Sequence, residues 1–284
     1  MAMMTILKAM RGAFAATAIL AGMPAYAQEP VAIVTDVQGG ATYGSAVASP
    51  VSILSQLNAG DRVKLASGAR MAMLYYADGA QFDARGPGTV LLDAKRPRGA
   101  EGAVVELRPA SSGAPVRLKS AGLVQGAVVM RNIGLRVVAP DPLVLSVRPE
   151  LAWTDSRPEA TYDVSLIDAA GTRVFQTATN ARSVRLPENV KLVPGQSYAV
   201  QVAARVRDVG VQSARAEFKI APDDLRKQAA ALAPKSADAP VAERVAYALW
   251  LDQNDLRDEA RKWWAGLAQA RPEQSGLRER AGAR

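Results

Sequence analysis

Between residues 57 and 82 the chain reads LNAGDRVKLASGARMAMLYYADGAQF. Two short apolar runs, residues 63–65 and 71–76, are separated by Ser67-Gly68. Asp78-Gly79 follows, and then Gln81 and Phe82. Glycine after Ser or Asp supplies the positive φ of a tight turn, so Gly60, Gly68 and Gly79 punctuate strand–turn–strand–turn–strand. Residues 71–76 are apolar at both parities, which predicts an interior strand. The same pattern extends on both sides. Residues 31–37, 41–43, 89–92, 104–108, 116–119 and 123–130 are strand candidates, with Gly39-Gly40 as a bulge or turn, Gly86-Pro87-Gly88 as a turn and 44–50 as loop. Many short strands at this spacing predict a sandwich, barrel or roll.

These residues resemble the FecR-type periplasmic domain. Its Leu-x-x-Gly-Asp element falls on Leu57 and Gly60-Asp61. The small-Gly-Ala turn falls on Ser67-Gly68-Ala69, the apolar strand on 71–76 and the Asp-Gly turn on Asp78-Gly79. The resemblance covers about residues 31–92 and implies a FecR-like β roll or sandwich, assigned to residues 28–139. Asp61 and Asp78 read as turn residues. The basic loop at 95–102, KRPRGAEG, reads as a solvated connection rather than an anion contact.

Ala139-Pro140-Asp141-Pro142 marks a boundary. Beyond it, Leu192-Val193-Pro194-Gly195-Gln196-Ser197-Tyr198 precedes an alternating strand at 199–206. That run is similar to the tyrosine corner of fibronectin type III domains, in which the Tyr hydroxyl bonds back to upstream backbone. Trp153 occupies the place of their core tryptophan; sugar binding is the competing role. Residues 162–167 and 214–220 are further strands. The resemblance implies an immunoglobulin-like, fibronectin III-like sandwich over residues 140–221.

Residues 222–284 read as a short α-helical tail. Asp223 is placed to cap a helix at 225–233. Val241, Val245, Ala248 and Leu249 fall at helical spacing, as do Leu256, Ala260, Trp263, Trp264 and Leu267. Asp255 is the expected N-cap between those two helices. Small Ala248 and Ala260, bulky Trp264 and Pro272 fall at the spacing of one tetratricopeptide unit, which the helix pair resembles, although Leu267 stands where a small residue is usual. One pair cannot bury both its faces, so it must pack on another element. Trp264 should face the 241–249 helix. Trp263, about 100° away on the same helix, should lie at the edge of that packing. It is either a partner-docking residue or a packing contact.

The first 27 residues carry Lys8 and Arg11, an apolar run at 13–22 and a small-x-small site at Ala25-Tyr26-Ala27. This is the layout of a secretory signal peptide cleaved after Ala27; an uncleaved signal anchor is the alternative. The expected product is periplasmic, with no membrane span after cleavage. It keeps 33 of the 35 cations against 27 anions, a net charge of +6. No basic block interleaves with aromatics, so nucleic acid is not an expected partner.

The chain has no Cys and no His. That removes disulfides, thiol nucleophiles and the commonest general base and metal ligand. Ser-His-Asp chemistry is therefore excluded. No Ser-x-x-Lys occurs, and Asp252 and Asn254 lack the Gly and distal Glu of a calcium loop. No catalytic residue, cofactor site or metal site is assigned, and the chain is not expected to be an enzyme. The reading that follows is a non-catalytic envelope interaction or scaffold protein on a FecR-like domain, with envelope proteins as partners. Two alternatives remain at this level. One is an envelope signal-sensing component acting through a membrane partner. The other is a module binding cell-wall glycan.

Overall fold

A computed structural model describes residues 29–44, 48–110, 114–120, 134–157, 159–206, 210–236 and 238–282. The export segment expected at 1–27 and the strand expected at 123–130 lie outside them. In chain order the first strands are β1 (Pro30–Gln38), β2 (Ala41–Tyr43), β3 (Ser49–Pro50), β4 (Gln56–Asn58) and β5 (Arg62–Leu65). Then come β6 (Arg70–Tyr75), β7 (Gln81–Arg85), β8 (Gly88–Leu92), β9 (Pro97–Ala100) and β10 (Val104–Arg108). They form two antiparallel sheets, β10-β7-β6-β1-β4 and β3-β2-β5-β8-β9.

The two glycine turns do different work. Asp78-Gly79 closes the β6–β7 hairpin, whereas Ser67-Gly68 carries the chain from β5 in one sheet to β6 in the other. Gly60, Gly68 and Gly79 have φ of +91°, +75° and +76°. Gly79 is fixed twice over, because a Cβ there would stand 2.4 Å from the Val116 carbonyl oxygen. The aspartates bond their own turns. Asp61 accepts the Asn58 N–H at 2.7 Å, and Asp78 accepts the Ala80 N–H at 2.9 Å. Residues 116–119, expected as a strand, form none.

The 95–102 stretch departs from its expected loop, since residues 97–100 pair with β8 as β9. Gly99 permits this: a Cβ there would meet the Ala103 carbonyl oxygen at 2.1 Å.

Four helices follow residue 222: α1 (Asp223–Leu232), α2 (Val241–Gln253), α3 (Arg257–Ala270) and α4 (Ser275–Gly282). They are not a separate tail. α2 packs on β1 and β6, and one hydrophobic core unites Ile33, Val34 and Leu74 with Val245, Leu249, Trp264 and Leu277. This third layer explains why β6 is apolar at both parities. One face meets the opposite sheet and the other meets helices. The expected caps differ too. Pro222 precedes α1 in extended conformation, leaving Asp223 and Asp224 in the first turn, where they favour the positive helix end. Leu256 caps α3, and Asp255 stands before it at φ +59°.

The middle of the chain forms β11 (Arg136–Ala139), β12 (Leu143–Val144), β13 (Glu150–Thr154), β14 (Thr161–Asp168), β15 (Arg173–Thr179), β16 (Ser183–Arg185), β17 (Ser197–Val206) and β18 (Gly210–Ile220). These build sheets β11-β13-β16 and β12-β18-β17-β14-β15. This is an immunoglobulin-like, fibronectin III-like sandwich with its own core. β11 pairs with β13, so the module starts before the boundary expected at residue 140. The Pro140–Pro142 bend moves the chain between the two sheets of one module rather than between modules.

Trp153 is buried and meets Tyr162 edge-on at 5.2 Å. The Val193 N–H donates to the Tyr198 hydroxyl oxygen at 2.9 Å. Tyr198→Phe should therefore lower stability by about 0.5–1.5 kcal/mol, read as an earlier urea midpoint for this module with unchanged circular dichroism.

Candidate functional site

Helix cover on the β10-β7-β6-β1-β4 sheet is incomplete. A cleft of about 360 Å³ opens between this sheet, the start of α2 and the end of α3. Strand register decides what faces it. Arg70 stands directly opposite Gln38 on one side and Arg85 on the other. In the next row Ala72 lies between Asp36 and Asp83. β1 carries an irregularity between Val34 and Asp36. Such an extra residue re-aims the side chains that follow it, and Asp36 and Gln38 line the cleft.

Five arginines (Arg70, Arg85, Arg108, Arg244, Arg271) and three aspartates (Asp36, Asp83, Asp238) line the cavity. Two arginines are clamped by aspartates. Arg108 donates to Asp83 through Nε at 2.9 Å and Nη2 at 2.5 Å. Arg271 reaches Asp36 through Nε at 3.4 Å and Nη2 at 3.3 Å. Arg85 meets Glu106 at 3.4 Å on the open surface. Two donors are left over: Arg108 Nη1 and Arg244 Nε are buried without a partner among the described residues.

A second polar cluster joins α3 to the sandwich. Arg261 bridges Asp258 at 2.7 Å and Asp141 at 3.0 Å. Glu259 accepts the Leu145 N–H at 3.2 Å, and Arg226 of α1 donates to the Leu145 carbonyl at 3.1 Å. β12 straddles the junction, with Leu143 packed on the helical core and Val144 in the sandwich core. Burial raises the Glu259 carboxyl above its ordinary range. Burial, and then the Asp258 charge, does the same to Asp141.

A raised carboxyl pKa means the folded state holds the proton more tightly. Its contribution is most favourable below the ordinary carboxylate range and is lost as pH rises through the raised value. Glu259→Gln keeps the acceptor and removes the charge. It should raise the melting temperature at pH 7 and flatten this part of the pH profile. Asp155 is the opposite case. Hydrogen bonds from Arg157, one at 2.7 Å, hold its carboxyl below the usual range. Its stabilisation is lost as pH falls through that lowered value.

Neither Trp153 and Tyr198 nor Gly60, Asp61, Gly68, Asp78 and Gly79 line the cleft; they sit in the sandwich core and in turns. Trp264 is buried and donates from Nε1 to Asp252 at 2.9 Å. Trp263 is half-buried, edge-on to Tyr247 at 5.3 Å, and Tyr247 stacks on Trp250 at 6.2 Å. It too lies outside the cleft. The cleft arginines were missed by sequence reading because they come from separate strands and helices across some 200 residues. The surplus of positive charge was their only trace.

A second concavity, about 440 Å³, lies over the outer face of the β14–β17 strands, lined by polar residues such as Gln176 and Gln201 and by no aromatic side chain. Among the described residues no helix is long and apolar enough to cross a membrane.

No family model matches the chain, and no curated protein matches it. Solved structures similar to parts of it include CopC from Methylosinus trichosporium OB3b. That match is 21% identical, covers 31% of this chain and 94% of CopC, and has a TM-score of 0.24. Another is the fn3 domain of the human collagen alpha-1(XX) chain. It is 18% identical, covers 42% of this chain and 97% of that domain, and has a TM-score of 0.26. Neither likeness carries an argument about ligand or partner.

Proposed function

We propose that this chain is a non-catalytic interaction or scaffold protein of the bacterial cell envelope, exported to the periplasm and built on a FecR-like β domain. The observation that carries this reading is the way the three parts are joined. The helices complete the core of the first β body, while Arg261, Glu259 and Arg226 tie the same helices to the fibronectin III-like sandwich. Such a continuous platform holds separate binding faces at fixed positions. Its charged cleft offers guanidinium and carboxylate groups, which recognise charge.

The test uses the mature protein, immobilised and presented in parallel with solubilised envelope proteins and purified cell wall. Saturable retention of one envelope protein supports the reading. Retention of cell wall alone replaces it with a glycan-binding module. Trp263→Ala forms a second arm. Weakened capture with unchanged helical circular dichroism places the partner at α3, whereas unfolding would make Trp263 a packing residue only.

A further inference from the structure

We propose that the arginine cleft binds a phosphate-type oxyanion, either free or carried on a small organic molecule. The inference does not depend on which partner the platform holds. Arg70 and Arg85 are directly opposed on β6 and β7, and like charges directly opposite each other destabilise a sheet. Arg70 makes no ion pair among the described residues. The ion-pair partner of Arg85 among the described residues, Glu106, is more than half exposed, at 57%. The pair is thus a local cost that an anion lying between the two guanidiniums would remove.

Arg244 strengthens the case from the other wall. It stands near the start of α2, and its Nε is buried with no acceptor among the described residues. A buried N–H donor left without an acceptor costs the fold that group's desolvation. Arg108 supplies a third donor. Asp83 grips it through two nitrogens and fixes its plane, leaving Nη1 buried and without a partner among the described residues. Fixed guanidinium forks suit oxyanions because several N–H groups meet one set of oxygens without further ordering. Pro240 and Val241, which also line the cleft, open the 13-residue helix α2. The positive end of that helix adds to the same field.

The charge balance selects the ligand. Asp36 and Asp83 are committed to Arg271 and Arg108, so those four groups cancel in pairs. Arg85 meets Glu106 at the surface, and Arg70 and Arg244 remain against Asp238, so the wall keeps a net positive charge. The N–H groups of Arg70 and Arg244, with Nη1 of Arg108, outnumber the two oxygens of a carboxylate and suit the three or four oxygens of a phosphate-type group. A volume of about 360 Å³ suits a small molecule rather than a polymer.

The experiment follows the melting of the full mature chain, with heats of binding measured in parallel. The probes are inorganic phosphate, pyrophosphate and glycerol phosphate, with sodium chloride at matched ionic strength as control. The expected result is saturable heat and a rise in melting temperature of about 5 °C at a hundredfold excess over Kd. Preference for inorganic phosphate or pyrophosphate identifies a free anion, and preference for glycerol phosphate identifies one carried on an organic body.

Arg244→Gln and Arg70→Gln should each weaken binding at least tenfold. They should leave the unliganded melting temperature unchanged or raised, because each removes an unmatched charge. Arg70 is exposed, so its variant decides the matter if Arg244→Gln does not fold. The proposal is overturned if chloride reproduces the shift. It is also overturned if no probe gives saturable heat, or if the variants lower unliganded stability while leaving phosphate binding intact.

Discussion

Trp264→Ala should unfold the helices and loosen the first β body in a single transition. Trp264 is 1% exposed and sits among Leu256, Ala260 and Leu267, all fully buried. Its Nε1–H is given to Asp252, which also pairs with Arg280 at 3.0 Å, and the Arg280 guanidinium lies 5.9 Å from the Trp264 ring centre. Truncating a buried tryptophan typically costs about 3–5 kcal/mol, because a cavity replaces the ring. Here the Asp252 carboxyl, already raised by burial, also loses a donor. Because Trp264 belongs to the same core as Ile33, Val34 and Leu74, the damage should reach the sheet. Urea denaturation followed by helical circular dichroism and by amide exchange on β1 and β6 checks this. Coincident early transitions are expected. If the strands keep their protection while the helices melt, the shared core is not cooperative.

Removing everything after Ala221 should have a larger effect still. The nine buried residues of α2, from Val241 to Leu251, would leave the outer face of β1 and β6 uncovered. A folded domain has only about 5–15 kcal/mol in reserve, and an uncovered apolar sheet face drives association. The truncated chain should therefore aggregate through its first β body. The sandwich over residues 134–221 has its own core and should remain folded as an isolated fragment, with dispersed amide resonances. A monomeric truncated chain in which the first β body melts cooperatively would show that the helices are an appendage after all.

The chain by itself determined the elements whose signals are local. Glycine at positive φ after Ser67 and Asp78 places turns whatever surrounds them. The Leu-x-Pro-Gly-x-x-Tyr run positions the Tyr198 hydroxyl within reach of the Val193 N–H because both lie on one short segment. Helical spacing of Leu256, Ala260, Trp264 and Leu267 likewise defined one buried stripe, which the structure covers with α2. Tertiary structure alone decided what those elements meet. The doubly apolar strand at 71–76 required a third layer. That layer comes from helices more than 150 residues later, and contact between distant segments depends on the summed burial of both, which no window of sequence records. The Ala139–Pro142 bend looked like a boundary because prolines mark any change of direction; pairing of β11 with β13 made it an internal corner. The cleft is the extreme case. Arg70 and Arg85 become neighbours only through the β6–β7 register, and Arg244 joins them only when α2 docks, so its chemistry arises from assembly rather than from any motif.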